Sequence, residues 1–237
     1  MSRIICIIGN KGGTGKTTLS HMLCQGLGLL GQRSACVLTD SSREPLSPDG
    51  RRYVTADGRT PEALHKVVGK LRTMQGWIGV IDGGGNRAEV DRTLDGLCDI
   101  VLLPFRDSHE DLRTVLRDLE AFPHAYALPS QWPTNAWQRD AADRNVAQLL
   151  GSYRDRLLHP VASLSASKLL LQKNIPDSLP STLGNACRAL ARQVMDVLEI
   201  GEAEADAHQN TVDAAQRAPL TPPSTVLPEG YVSTRHH

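Results

Sequence analysis

The sequence predicts an α/β protein: a mostly parallel sheet covered by helices on both faces, followed by a disordered C-terminal tail. Two observations carry that prediction. Short apolar runs recur between longer amphipathic segments, each run flanked by Gly, Pro, Asp or Ser, the pattern of strands buried on both faces. Aromatic residues make up only 4% of the chain against 40% hydrophobic residues overall. A core filled by Leu, Val, Ile and Ala suits a helix-covered sheet better than an aromatic-rich barrel or sandwich.

Strands are expected at residues 4–8, 35–38, 78–81, 100–103, 124–128 and 157–162. Helices alternate with them. Residues 16–30 follow a Gly-rich turn, and 61–74 open with Thr60 as N-cap and Pro61 at the first helical position. Residues 89–97 form a short helix; 109–122 have Ser108 as cap and Asp111 near the positive end of the helix; 136–150 and 182–200 complete the set. Strands and helices alternating at this spacing imply right-handed βαβ units. Residues 41–58, with Pro45, Pro48, Gly50 and Gly58, are the longest irregular stretch before the tail, with room for a small hairpin around 53–56.

Composition bounds the rest. The 237 residues carry 26 basic and 26 acidic side chains, a formal net charge of zero, and the ordinary 40% hydrophobic and 22% charged fractions exclude fibrous and wholly disordered classes. Cys6, Cys24, Cys36, Cys98 and Cys187 are odd in number and widely spaced, with no CxxC pair, as expected of buried thiols in a reducing compartment. The run 4–8 is too short for a signal peptide and no later stretch is long and apolar enough to span a membrane, so a cytoplasmic location is expected. After residue 200 the composition turns acidic and then Pro-rich, with Pro219, Pro222, Pro223 and Pro228. One folded domain over 1–200 and a disordered tail over 201–237 follow.

The decisive stretch is residues 9–18, Gly-Asn-Lys-Gly-Gly-Thr-Gly-Lys-Thr-Thr, which follows an apolar strand and opens an amphipathic helix. That is the context of a P-loop. Gly12, Gly13 and Gly15 let backbone N–H groups turn inward around phosphate oxygens, Thr14 and Thr18 complete the cradle, and the helix beginning near Lys16 adds the positive end of its dipole. Lys16 is expected to neutralise the β- and γ-phosphates, and the Thr17 hydroxyl to ligate Mg²⁺. Asp82, at the end of an apolar strand, has the spacing of a Walker B carboxylate and is expected to hold Mg²⁺ through water. Asp40 ends the preceding strand.

The string Lys-Gly-Gly-x-Gly-Lys-Thr-Thr over residues 11–18, with Asn10 where a strict Walker A box has Gly, resembles the deviant Walker A box of the ParA/MinD family of ATPases. The resemblance implies ATP and Mg²⁺ as cofactors, slow ATP hydrolysis, and a homodimer with ATP sandwiched between subunits. It also implies that Lys11 reaches across the interface to the partner's nucleotide and that Asp40 is the first aspartate of switch I, which orients the hydrolytic water. The match continues at 99–119, strand, Pro104 and helix, at 126–134, the strand whose end the family places near the adenine base, and at 160–162, the family's next strand. Two departures touch the γ-phosphate sensors: Asp40 is followed by Ser42 where the family has a second aspartate, and Asp82 by Gly83-Gly84-Gly85-Asn86 where the family has Thr-Pro-Pro.

Members of this family move or position cargo, and its partition proteins bind DNA without sequence preference. Splitting the chain at residue 200 leaves a body of charge +3 and a tail of −3. Lys168, Lys173, Arg188 and Arg192 are candidate DNA contacts, the last two being four apart on one helix. The main expectation is plasmid or chromosome partition, with a centromere-binding or cargo-adaptor protein as the stimulating partner and nucleoid association if DNA is bound. The alternative is a nucleotide-dependent positioning or plasmid-transfer accessory protein with weak hydrolysis and a non-DNA cargo. A MinD-type membrane helix is not expected at the C-terminus, because Pro219 to Pro228 would break it. An electron-transfer relative of the nitrogenase iron-protein type would need a second interface cysteine beside Cys98.

Overall fold

The computed structural model describes residues 2–84, 88–176 and 178–200. The tail expectation for 201–237, and Gly85 and Asn86 of the glycine run, lie outside the described residues. Six strands, β1 (Arg3–Ile7), β2 (Arg33–Leu38), β3 (Val54–Asp57), β4 (Trp77–Asp82), β5 (Ile100–Phe105) and β6 (Ala125–Pro129), form one sheet in the order β3-β2-β4-β1-β5-β6. Every pairing is parallel. The helices between them are α1 (Lys16–Leu29), α2 (Pro61–Thr73), α3 (Ala88–Asp95), α4 (His109–Ala121), α5 (Ala136–Leu150) and α6 (Ser181–Val197), with 3-10 turns at Gly151–Arg156 and Ser165–Leu171.

Strand alternation sorts the core into two layers. On β1 and the residue after it, Ile5 and Ile7 face the layer built with α1 and α6, while Ile4, Cys6 and Ile8 face the layer that includes Leu64 of α2, Leu112 of α4 and Val146 of α5. Both layers are built from buried apolar side chains, so the central strands carry apolar residues on both faces. The α1–α6 contact needs a residue without a side chain: a Cβ on Gly26 would collide with the Cys187 carbonyl of α6. The caps expected at Thr60 and Ser108 are present, Thr60 Oγ1 accepting from Ala63 N at 3.2 Å and Ser108 Oγ from Asp111 N at 3.1 Å.

Two expectations need correction. Residues 53–56 do not make a hairpin; Val54–Asp57 is a parallel edge strand, in register with Ala35 to Leu38 of β2. The loop before it closes through side chains: Arg51 Nε donates to Ser47 O at 2.7 Å, and Arg51 Nη1 donates both to Tyr53 Oη at 2.9 Å and to Leu170 O at 2.6 Å. The same Tyr53 hydroxyl shares a hydrogen bond with His21 Nδ1, 2.7 Å away on α1. Residues 157–162 do not form a strand either. They meet β6 and the residues after it through isolated bridges, Leu157 to Ala127 and Ala162 to Trp132. Pro160 interrupts the run: it offers no N–H for a ladder and fixes its own φ.

Candidate nucleotide site

The site lies where the strand order reverses, at the carboxyl ends of β1 and β4, the usual place for a ligand on such a sheet. After β1 the chain turns through Gly9 to Gly15 and enters α1. Gly13 (φ 78°) and Gly15 (φ 87°) stand in the left-handed region that favours glycine, whereas Gly12 has no such angle. Gly15 is the N-cap of α1, with no side-chain cap and no acidic residue in the first turn, so the first N–H groups remain available to an anion.

Lys16 is buried, and its ammonium donates to Gly9 O at 3.0 Å and Lys11 O at 2.7 Å. Burial pushes this lysine below its ordinary pKa, and the charges of Asp91, Asp82 and Asp118 pull the other way. Asn10, the departure from the strict motif, has a structural partner: its Nδ2 donates to Asp118 Oδ1 of α4 at 2.8 Å. Further along the loop, Ser130 Oγ donates to Thr14 O at 2.8 Å and Gln131 Nε2 to Gly13 O at 2.8 Å. Gln131 reaches the loop from a left-handed backbone (φ 52°), an uncommon conformation for a residue with a side chain.

Asp82 closes β4 beside the loop and is 1% exposed, with neither carboxylate oxygen in a hydrogen bond of good geometry among the described residues. Burial raises its pKa; the Thr17 hydroxyl, the Gly84 N–H and the Arg43 charge oppose that without reversing it. A buried carboxylate without a satisfied partner beside a threonine hydroxyl fits an oxygen-liganded divalent cation such as Mg²⁺. Thr39 fixes the turn by donating to Asp82 O at 2.7 Å. The glycines that follow have a packing reason. A Cβ on Gly83 would stand 2.5 Å from Ile8 Cγ2 and 2.9 Å from Ile7 O, and Gly84 has φ 67°.

Asp40 is placed at the same mouth but is already engaged. Its Oδ1 accepts from the Ser42 hydroxyl at 2.6 Å and the Ser42 N–H at 3.0 Å, and its Oδ2 pairs with Arg43 Nε at 3.2 Å. The Ser42 hydroxyl, more than any other neighbour, holds the Asp40 carboxyl below the usual carboxylate range. Lys11 pairs with Glu110 of α4 at 2.5 Å, an exposed partner. Two arginines that the motif did not indicate stand close by. Arg43 lines the cavity of about 390 Å³ formed with Lys16, Thr17, Asp40 and Gly84. Arg106, after β5, is held by Asp111 at 2.9 Å, and its Nη1 lies 3.9 Å from where a Cβ on Gly13 would stand.

A second cavity of about 380 Å³ adjoins the loop, lined by Thr14, Thr18, Gln131, Ser163, Ser167 and Lys168 among others. Its volume and position suit the nucleoside end of a nucleotide whose phosphates lie in the loop. Lys168 therefore stands at this cavity, in the 3-10 turn packed on α1, while Arg188 and Arg192 ride on α6, where Arg188 donates to Asn185 Oδ1 at 2.8 Å. Lys173 is exposed just after that turn. The five cysteines are free thiols, four of them buried and Cys98 partly so. Among the described residues no group of three or more His, Cys, Asp or Glu could hold a metal, and no helix is long and apolar enough to cross a membrane.

Residues 5–208 match the family described as the CobQ/CobB/MinD/ParA nucleotide binding domain. Solved structures with the same fold include the MinD cell division protein of Aquifex aeolicus, 15% identical, covering 82% of this chain and 97% of that one with a TM-score of 0.65. Another is MinD of Pyrococcus horikoshii complexed with Mg-ADP, 17% identical, covering 82% and 96% with a TM-score of 0.59. A protein assigned to plasmid partition in Borrelia burgdorferi B31, bound to AMPPNP, is 12% identical and covers 83% and 100% with a TM-score of 0.59. At these identities the likeness is one of fold. No curated relative matches the chain by sequence.

Proposed function

The chain belongs to the CobQ/CobB/MinD/ParA nucleotide-binding family, and from that premise we propose that it is an ATPase that dimerises on ATP and acts in plasmid or chromosome partition. The observation that supports this reading best is the pairing of a buried Lys16 in a P-loop with an orphaned Asp82 carboxylate beside Thr17. Backbone N–H groups of residues 12–18 bind the phosphates, Lys16 neutralises the β- and γ-oxygens, and Thr17 with Asp82 holds Mg²⁺, the latter through water. Bound Mg²⁺ supplies positive charge against the charge that develops on the phosphoryl oxygens. Lys11 extends from the loop to the nucleotide of a second subunit, and Asp40 orients the attacking water. Nucleotide-bound structures of the same fold, one with AMPPNP and one with Mg-ADP, agree with these cofactors.

DNA contact in this reading comes from the mildly basic body, with Lys168, Lys173, Arg188 and Arg192 as contacts that two subunits combine. A centromere-binding or adaptor protein stimulates hydrolysis. The test is retention of the AMPPNP-bound protein on nonspecific duplex DNA: binding that falls steeply with salt supports partition, and no retention at low salt contradicts it.

One observation favours a second reading, a positioning or plasmid-transfer accessory protein with weak hydrolysis and a non-DNA cargo. Asp40 is tied up by Ser42 and Arg43, and Ser42 occupies the place of the second switch aspartate. AMPPNP-dependent dimers without DNA retention, together with very slow ATP turnover, would support that reading.

A further inference from the structure

The loop between β2 and β3 brings to the phosphate cavity a cation that the P-loop motif does not supply. Arg43 lines the cavity of about 390 Å³ together with Lys16 and Thr17, and also a smaller one of about 190 Å³ shared with Thr17 and Asp82. Its backbone is held on both sides: Arg43 N donates to Asp40 O at 3.2 Å, and Arg59 Nη1 donates to Arg43 O at 3.0 Å. Leu46, three residues on, accepts from Thr55 Oγ1 of β3 at 2.7 Å. The guanidinium is therefore carried by a fixed loop, half exposed (50%), with Asp40 Oδ2 as its ion-pair partner at 3.2 Å. That pair is a single contact through Nε in a partly wet setting, worth little beside a forked contact of Nη1 and Nη2 with phosphate oxygens.

We propose that Arg43 is a γ-phosphate ligand supplied from the subunit's own chain: when a triphosphate fills the P-loop, the guanidinium exchanges Asp40 for the γ-phosphate, and Asp40 is released to accept a hydrogen bond from water. The exchange rests on the nucleotide-binding reading above and adds to it a device that tells ATP from ADP. A diphosphate ends short of Arg43 and leaves the Arg43–Asp40 pair in place, so Asp40 is freed only when the third phosphate is present. Ser42 fits the same scheme, because its hydroxyl still fixes the carboxylate while the arginine moves.

The experiment is calorimetric titration of the full chain, in Mg²⁺, with AMPPNP and separately with ADP, for the wild type, Arg43→Ala, Arg43→Lys, Asp40→Asn and Lys16→Ala. Arg43→Ala is expected to weaken AMPPNP binding about 10-fold or more while leaving ADP within about 2-fold, and Arg43→Lys to recover only part, since a point charge lacks the fork. Asp40→Asn, which removes the competing carboxylate, is expected to leave AMPPNP binding as tight or tighter. Equal losses for both nucleotides, or none, in Arg43→Ala would overturn the proposal, as would weaker AMPPNP binding in Asp40→Asn. A wild type that binds neither nucleotide, indistinguishable from Lys16→Ala, overturns the nucleotide reading itself; a wild type that binds both equally to Arg43→Ala overturns only the role of Arg43.

Discussion

Asn10 and Asp118 share a hydrogen bond of 2.8 Å between the side-chain amide of the P-loop and a buried carboxylate of α4. This pair ties the loop to the helix that follows β5 and accounts for a side chain where the strict motif has glycine. Asp118→Ala frees the loop from α4, and nucleotide affinity is expected to fall about 10-fold with a stability loss of about 1–2 kcal/mol. Calorimetry and chemical denaturation check the two numbers. Unchanged affinity would mean that Asp118 only packs.

Among the described residues the Lys11 ammonium pairs with Glu110, and that partner is 75% exposed. An exposed pair of this kind contributes at most about 1 kcal/mol, so it is a weak brake on a lysine that leaves for a second subunit. Lys11→Ala is expected to keep nucleotide binding and lose AMPPNP-dependent dimerisation, measured by sedimentation. Because each subunit of the dimer gives up one such pair, Glu110→Gln is expected to tighten the dimer by no more than about 30-fold. Normal dimerisation of the Lys11 variant would contradict the sandwich arrangement.

Asp111 is buried at the start of α4. Burial alone would raise its pKa, but hydrogen bonds from the Arg106 and Ser108 side chains and the Arg106 N–H turn the balance and lower it. A carboxylate with a depressed folded-state pKa adds stability that is fully present above the unfolded value and is lost as pH falls through the folded value. Asp111→Asn is therefore expected to cost about 1–2 kcal/mol at neutral pH, after allowing for the partly exposed Arg106. The gap to wild type should narrow below about pH 4. Urea denaturation between pH 7 and 3 measures it, and a gap independent of pH would assign the cost to packing.

The sheet and its P-loop were legible because each rests on local pattern: apolar runs of strand length, caps at Thr60 and Ser108, and glycines beside Lys16. Residues 157–162 misled because Val161 and Leu157 look like strand residues, while Pro160 prevents a continuous ladder. The edge strand β3 was hidden because Val54 and its neighbours are half wet and short of apolar residues. Asp118, Gln131 and Arg106 converge on the loop from α4 and from the ends of β5 and β6, so only the fold brings them together. Arg43 carries a signal of its own, a cation three residues after the aspartate that follows β2, but charge alone does not show which way a loop side chain is carried.

The account rests on Lys16 and Asp82 acting with the P-loop on a magnesium nucleotide. Calorimetric binding of AMPPNP to the full chain, with and without Mg²⁺, tests it most directly in the wild type, Lys16→Ala and Asp82→Asn. The predicted result is saturable binding by the wild type, none by Lys16→Ala, and binding by Asp82→Asn that no longer depends on Mg²⁺. Equal binding by the wild type and Lys16→Ala, or no binding by any of the three, would contradict it.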